Sequence, residues 1–185
     1  MDFVKRSDLE GKHAFLSPST YHWLNYTEDK LAKRWVSWGA ARRGTDLHNH
    51  AHESIRLGIK LAPSNKALAK YVNDGIGYKM ECEVCLFYSE NCFGHADTIS
   101  FRRNTLRIHD LKTGVSATSE HQLEVYAALF CLQYGYSPYD IEIELRIYQG
   151  EDVRVYHPHP DIIRNVMDII VERDMQIEML KDGEL

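Results

Sequence analysis

The chain has 185 residues, room for one domain with a real core rather than for two. With 44% hydrophobic and 26% charged residues it has the make-up of a soluble globular protein. No apolar run approaches the roughly 18 residues that cross a bilayer, and Met1-Asp2-Phe3-Val4-Lys5-Arg6 lacks the apolar stretch of a signal peptide, so a cytoplasmic protein with no membrane partner is expected. The net charge of −5 excludes a protein that coats nucleic acid non-specifically, but not one that cuts it, because bound cations cancel the charge of an acidic metal site.

Ser17-Pro18-Ser19 predicts a helix start, with Pro18 in the first turn and a short helix through Trp23 and Leu24. Thr27 caps a longer helix through Leu31, Trp35 and Trp38, with Glu28 and Asp29 at its positive end. Gly39 and Gly44 weaken it, and a break is expected near Gly44-Thr45. A helix resumes with Leu47, Ala51 and Ile55 on one face and is expected to end at Pro63. Ser64 or Asn65 opens another, through Leu68 and Val72, stopping at Asp74-Gly75.

The character then changes to strands. Met80 to Tyr88, Cys92 to Phe101 and Thr105 to Leu111 read as three, with Arg103-Asn104 as a hairpin tip and Glu81 and Glu83 on one strand face. Glu120 to Tyr134 reads as an amphipathic helix closed by Gly135 and Pro138. Ile141, Ile143, Leu145 and Ile147 alternate with Glu142, Glu144 and Arg146 as a half-buried strand, and Val153 to Tyr156 returns as its hairpin partner. Pro160 starts a last helix with Ile163, Val166, Met167 and Ile170. The expected fold class is α/β with a mixed sheet flanked by helices. It forms a single domain over 1–185, divided into N-terminal helices (1–75), a sheet-and-helix core (78–150) and a C-terminal helix (160–182).

Chemistry gathers in three places: Gly94-His95-Ala96-Asp97, Ile108-His109-Asp110-Leu111-Lys112-Thr113-Gly114, and Gln122-Leu123-Glu124-Val125-Tyr126. Asp97 and Asp110 on adjacent strands make a site for a hard cation. Lys112, two residues after Asp110, points to the same face of its strand. Gln122 and Tyr126 lie one turn apart on one helix face. Metal, carboxylates and an ammonium on one face suit phosphodiester hydrolysis.

This order of elements, with Gly-x-x-Asp, Asp-x-Lys and Gln-x-x-x-Tyr, resembles the PD-(D/E)XK nuclease superfamily. Gly44-Thr45-Asp46-Leu47-His48 adds the Gly-Thr-x-x-His of its RecB-like branch. The chain is similar over residues 40–150 to the small RecB-like exonucleases of bacteriophages, relatives of the CRISPR-associated RecB-like nucleases. The resemblance implies a restriction-endonuclease-like αβββαβ core. It also implies a metal-dependent DNA exonuclease of recombination, repair or replication that holds Mg²⁺ or Mn²⁺ and leaves a 5′-phosphate. His48, Asp97, Asp110 and the carbonyl of Leu111 would be the metal ligands. Lys112 would activate water and stabilise phosphate charge, and Gln122 and Tyr126 would touch DNA or the lysine. DNA ends are the implied partner, with a helicase, a recombinase or a homo-oligomer to supply unwinding. If the gene is phage-borne, the site of action is the host cytoplasm.

Alternatives stay open at this level. A structure-selective endonuclease, an inactive nuclease fold that only binds or assembles, and a metalloprotein built on the histidine run are the competing readings. His52 and Glu53 are alternatives or companions to His48, and His50 is expected to face solvent. Glu81 and Glu83 read first as solvated strand residues. Cys82, Cys85, Cys92 and Cys131 read as buried thiols, although Cys82-Glu83-Val84-Cys85 has the spacing of half a zinc site. Lys30, Lys33, Arg34, Arg42 and Arg43, with Arg102, Arg103 and Arg107, are candidates for a phosphate-binding strip. The tryptophans and Tyr21 are core before they are base-stacking platforms.

Overall fold

Five strands form one mixed sheet in the order β1-β2-β3-β4-β5: β1 (Glu81–Ser89), β2 (Cys92–Arg102), β3 (Thr105–Lys112), β4 (Glu142–Gln149) and β5 (Asp152–Tyr156). The structure, a computed structural model, describes residues 1–10, 14–37, 46–112 and 119–183. The strands are antiparallel except β3 and β4, which run parallel because α4 (His121–Tyr134) crosses between them. Three helices precede the sheet, α1 (Glu28–Ser37), α2 (Asp46–Leu57) and α3 (Ala67–Gly77), and α5 (Pro160–Asp182) closes the chain. The expected α/β class, the strand succession and the helix–strand order are all present. Among the described residues no helix is long and apolar enough to cross a membrane.

Local chemistry explains most boundaries. The Thr27 hydroxyl accepts from the Lys30 amide and caps α1. Arg103 and Asn104 both take left-handed backbone (φ 51° and 61°), which a two-residue turn joining twisted antiparallel strands demands. The Ser17-Pro18 start gives a 3-10 segment, Pro18–Asn25, whose Trp23 is buried and donates its indole N–H to the Ser17 carbonyl.

Three expectations need correction. α2 ends at Leu57, well before Pro63, because Gly58 turns left-handed (φ 68°) and the amides of Gly58 and Ile59 close back on Ile55 and Ser54. α3 runs through Asp74-Gly75 to Gly77, since a glycine inside a packed helix weakens it without ending it. α4 is not amphipathic: every residue from Gln122 to Cys131 is buried, because the helix lies between the sheet, α5 and the 3-10 segment. The expected break at Gly44-Thr45, together with Trp38, Gly39, Arg42, Arg43, Thr113 and Gly114, lies outside the described residues.

The sheet is covered on both faces. Val84, Leu86, Ala96, Ile99 and Ile108 pack with Leu123, Phe130, Ile163 and Ile170 beneath α4 and α5. Ala51, Ile55, Tyr71 and Val72 of α2 and α3 pack on Leu111 and Tyr148, with Cys82 alongside. Cys82 and Val84 are two apart yet join opposite faces, whereas Ala96 and Ile99 are three apart and join the same one. Side-chain alternation therefore resets in both strands at once. Cys82 pairs with Thr98 and Val84 with Ala96, so Glu83 and Asp97 form the rung between, and Glu83 there has φ 55°.

Candidate functional site

The irregular rung is where the site begins. Two imidazoles one turn apart on α2 reach its two carboxylates: His48 Nδ1 lies 3.4 Å from Asp97 Oδ2, and His52 Nδ1 lies 3.1 Å from Glu83 Oε1. Oδ2 of Asp97 also accepts from the backbone amide of Leu111, 3.1 Å away, which ties β2 to the end of β3.

Asp110 comes from the last turn of the pleat before Lys112 and is 3% exposed. The Lys112 ammonium lies 3.1 Å from its Oδ1 and 3.0 Å from its Oδ2, and it donates to Oε1 of Gln122 at 2.7 Å. Oδ2 is within ion-pair range yet lacks a well-directed hydrogen bond, leaving a buried acceptor with lone pairs to spare. Burial, and then the neighbouring Asp97 charge, push the Asp110 carboxyl up to about 6 against the opposing pull of Lys112 and His48. The hydrogen bond to Asp97 raises His48 above its ordinary value, with the charges of Asp97, Asp110 and Glu83 adding to it against its own burial.

The sequence-predicted residues thus divide. Asp97, Asp110, Lys112, Gln122, His48 and the Leu111 backbone are brought together. Tyr126 stands one turn along α4 from Gln122: it is 3% exposed, and its hydroxyl donates to the carbonyl of His95. Its ring edge lies against Gly94, where an added Cβ would stand 3.2 Å from Tyr126 Cε1 and 2.5 Å from Pro18 Cδ. The glycine of Gly-x-x-Asp is there for close packing, and Tyr126 supports that segment from behind.

His52, left open by the sequence, belongs to the cluster. His48, His52 and Asp97 each offer a ligand atom within 4.8 Å of the others, and His52 Nε2 meets the Tyr71 hydroxyl at 3.1 Å. With Glu83 on one ring nitrogen and Tyr71 on the other, His52 is a buried, oriented imidazole. Tyr71 carried no signal in the sequence; only the packing of α3 against α2 reveals it. Glu53 and His50 are exposed, and Glu81 is exposed at the start of β1.

The cysteines are free thiols: Cys85, Cys92 and Cys131 are buried and Cys82 partly so. Burial pushes Cys82 and Cys131 up to about 12 and Cys85 to about 11. Of the candidates for a basic strip, Arg42 and Arg43 lie outside the described residues. Lys30 stacks over Tyr26, 4.6 Å from its ring centre, whereas Arg102, Arg103 and Arg107 cluster at the β2–β3 hairpin end.

The cluster of His48, His52 and Asp97, two imidazoles and one carboxylate, could hold a metal ion, and the buried Asp110 carboxylate stands beside it. Compared with known proteins, residues 81–155 match a family model described as a protein of unknown function (DUF2800). That match runs from the start of β1 to the end of β5, so it contains Asp97, Asp110, Lys112 and Gln122 but not His48. No curated protein and no solved structure matches the chain.

Proposed function

We propose that this chain is a divalent-metal-dependent deoxyribonuclease of the RecB-like PD-(D/E)XK kind that degrades DNA from its ends. The observation that carries the reading is the buried Asp110 carboxylate beside Asp97, its Oδ2 ion-paired but without a well-directed hydrogen bond, with Lys112 held between it and Gln122. A buried acid beside a second, half-buried one is unfavourable unless cations offset the charge, and Lys112 and His48 supply part of that offset. An arrangement this costly in a chain otherwise well packed is the mark of a functional site.

His48, Asp97, Asp110 and the Leu111 carbonyl would hold the ion, which when bound would supply Lewis acidity and charge neutralisation for a phosphodiester. The chain's own residues supply the rest. Gln122 fixes Lys112 through its amide oxygen, so the ammonium is presented at a defined point rather than swept through its rotamers. From there Lys112 can orient an attacking water and stabilise charge on a phosphate oxygen as the bond to the leaving oxygen breaks. His52, clamped by Glu83 and Tyr71, fixes the inner face of α2 from which His48 projects.

The test is cleavage of end-labelled linear single- and double-stranded DNA beside closed circular DNA, with Mg²⁺, Mn²⁺ or EDTA and an Asp110→Ala control. Metal-dependent shortening of linear substrates that spares circles and is lost in the variant supports the reading. Cut circles would make it an endonuclease, and binding without cleavage an inactive nuclease fold.

A further inference from the structure

The β2–β3 hairpin end of the sheet carries a cavity of about 790 Å³, at the roomy end of the ~300–1,000 Å³ of small-ligand sites. Its cations are Lys79, Arg102, Arg103 and Arg107, and its aromatic rings are Tyr78, Phe101 and Tyr136. Among the described residues no carboxylate lines it, in a chain whose net charge is −5. Among the described residues Lys79, Arg102 and Arg103 are exposed and form no salt bridge, whereas Arg107 is held by Glu144 at 3.2 Å and lies over the Tyr78 ring.

Two of these cations sit where the backbone asks for something else. Lys79 follows the α3 C-cap with φ 54°; its amide donates to Ile76 and that of Met80 to Gly75, the bonding of a helix end that favours glycine. Arg103 holds the first central position of the hairpin turn with φ 51°, where asparagine, aspartate or glycine is preferred. Both positions border the same cavity and both carry a long cation at a local conformational penalty. Such departures from local preference gather where a ligand is bound.

We infer that this cavity binds single-stranded DNA outside the cleavage site, its cations on phosphates and its rings against bases. The choice of DNA rests on the nuclease reading above. Basic grooves with interleaved aromatics grip single strands without sequence preference. Arg102 lies five residues along β2 from Asp97, about 17 Å of strand, so a strand several nucleotides long can engage both places.

The test is fluorescence anisotropy with a labelled oligothymidylate of about twenty nucleotides and the full chain, in EDTA so that binding is read without cleavage. The variant is Lys79→Asn with Arg103→Asn, because asparagine tolerates left-handed backbone and removes the charge without unsettling the fold. Lys60→Asn with Lys66→Asn removes equal charge from exposed positions outside the cavity. Expected is a roughly tenfold or greater loss of affinity and a shallower salt dependence, by about 1.4 for two lost phosphate contacts. The melting temperature should be equal or higher, and the control pair unchanged. Wild-type affinity in the cavity variant would overturn the inference and leave the nuclease reading standing. Equal loss in the control pair would overturn it too, reducing the effect to overall charge. If the wild type binds an RNA oligomer but no DNA, the inference falls, and the cleavage assay then decides whether the nuclease reading falls with it.

Discussion

Lys112 Nζ lies 2.7 Å from Gln122 Oε1 and 3.1 Å from Asp110 Oδ1, so one ammonium bridges the end of β3 and the first turn of α4. The lysine is thereby held from a strand and a helix at once. Lys112→Ala should abolish cleavage while keeping most Mn²⁺ affinity by calorimetry. Gln122→Ala should lower kcat by about 10–100-fold with KM nearly constant, as expected when a positioning bond is lost. Normal cleavage by Lys112→Ala would remove the lysine from the mechanism.

Asp110 sets stability against function. Its folded-state value of about 6 exceeds the ordinary 3.8. The folded state therefore binds a proton more readily than the unfolded chain, and stability falls as pH rises from about 4 to 6 and stays reduced above that. The penalty is on the order of 3 kcal/mol for an isolated shift of this size. Asp110→Asn should then raise the melting temperature of the metal-free protein at pH 8 while abolishing both cleavage and the stabilisation by added Mn²⁺. A lower melting temperature would show that Asp110 is satisfied by Lys112 alone.

Metal affinity should depend on pH through the same groups. His48 is raised above 6.5 by its bond to Asp97, and Asp110 stands at about 6. Both must lose a proton to act as ligands, so Mn²⁺ binding should begin to weaken above pH 6.5, as His48 is protonated, and steepen as pH falls through about 6. His48→Ala should weaken binding and flatten that dependence. Full affinity in His48→Ala would move the imidazole ligand to His52.

His109 gives an opposite and separable pH signature. It is fully buried on the α3 face, with Nδ1 3.2 Å from the Tyr148 hydroxyl and Nε2 without a hydrogen-bond partner. Burial, and then the charges of Arg146 and Arg107, push it well below 6.5. The unfolded chain takes the proton first, so this contribution to stability is complete above pH 6.5 and is lost as pH falls below it, by at most about 1.4 kcal/mol per pH unit. Urea unfolding of wild type and His109→Gln at pH 7.5 and 5.5 should show the variant gaining relative stability on acidification. A constant difference would mean that His109 is protonated alike in both states.

Gly94→Ala should destabilise the fold by about 1–3 kcal/mol, because its Cβ would overlap Pro18 and crowd Tyr126. Cleavage should fall further than stability alone explains, since the displaced segment carries Asp97. Unfolding by urea and cleavage at a temperature where the variant is fully folded separate the two effects.

Period and turn chemistry made the strands legible, as Arg103-Asn104 and the alternation from Ile141 to Ile147 show. The closeness of Asp110 and Lys112 was legible because they share one strand, where spacing alone sets the face. The partners of Tyr126 were not legible, because one helix face can serve two neighbours and only the tertiary packing shows its ring against Gly94 and its hydroxyl on the His95 carbonyl. His52 was legible as an alternative or companion to His48, but its partner Tyr71 was not, the two being joined across nineteen residues by helix packing. No periodicity announces the left-handed Glu83 that resets two strands together. The amphipathic reading of α4 failed because a helix enclosed on every side has no polar face to show.

That enclosure divides the site into unequal walls. Gln122 rides on a helix wedged among the sheet, α5 and the 3-10 segment, whereas His48 rides on α2, which packs chiefly against α3 and β1. The lysine is thus held on a wall enclosed by helices and sheet, whereas the histidine is held on one that rests on α3, β1 and the ion pairs to Asp97 and Glu83. An ion held by residues of both walls would fasten one to the other, so metal occupancy should protect α2 against unfolding more than it protects α4.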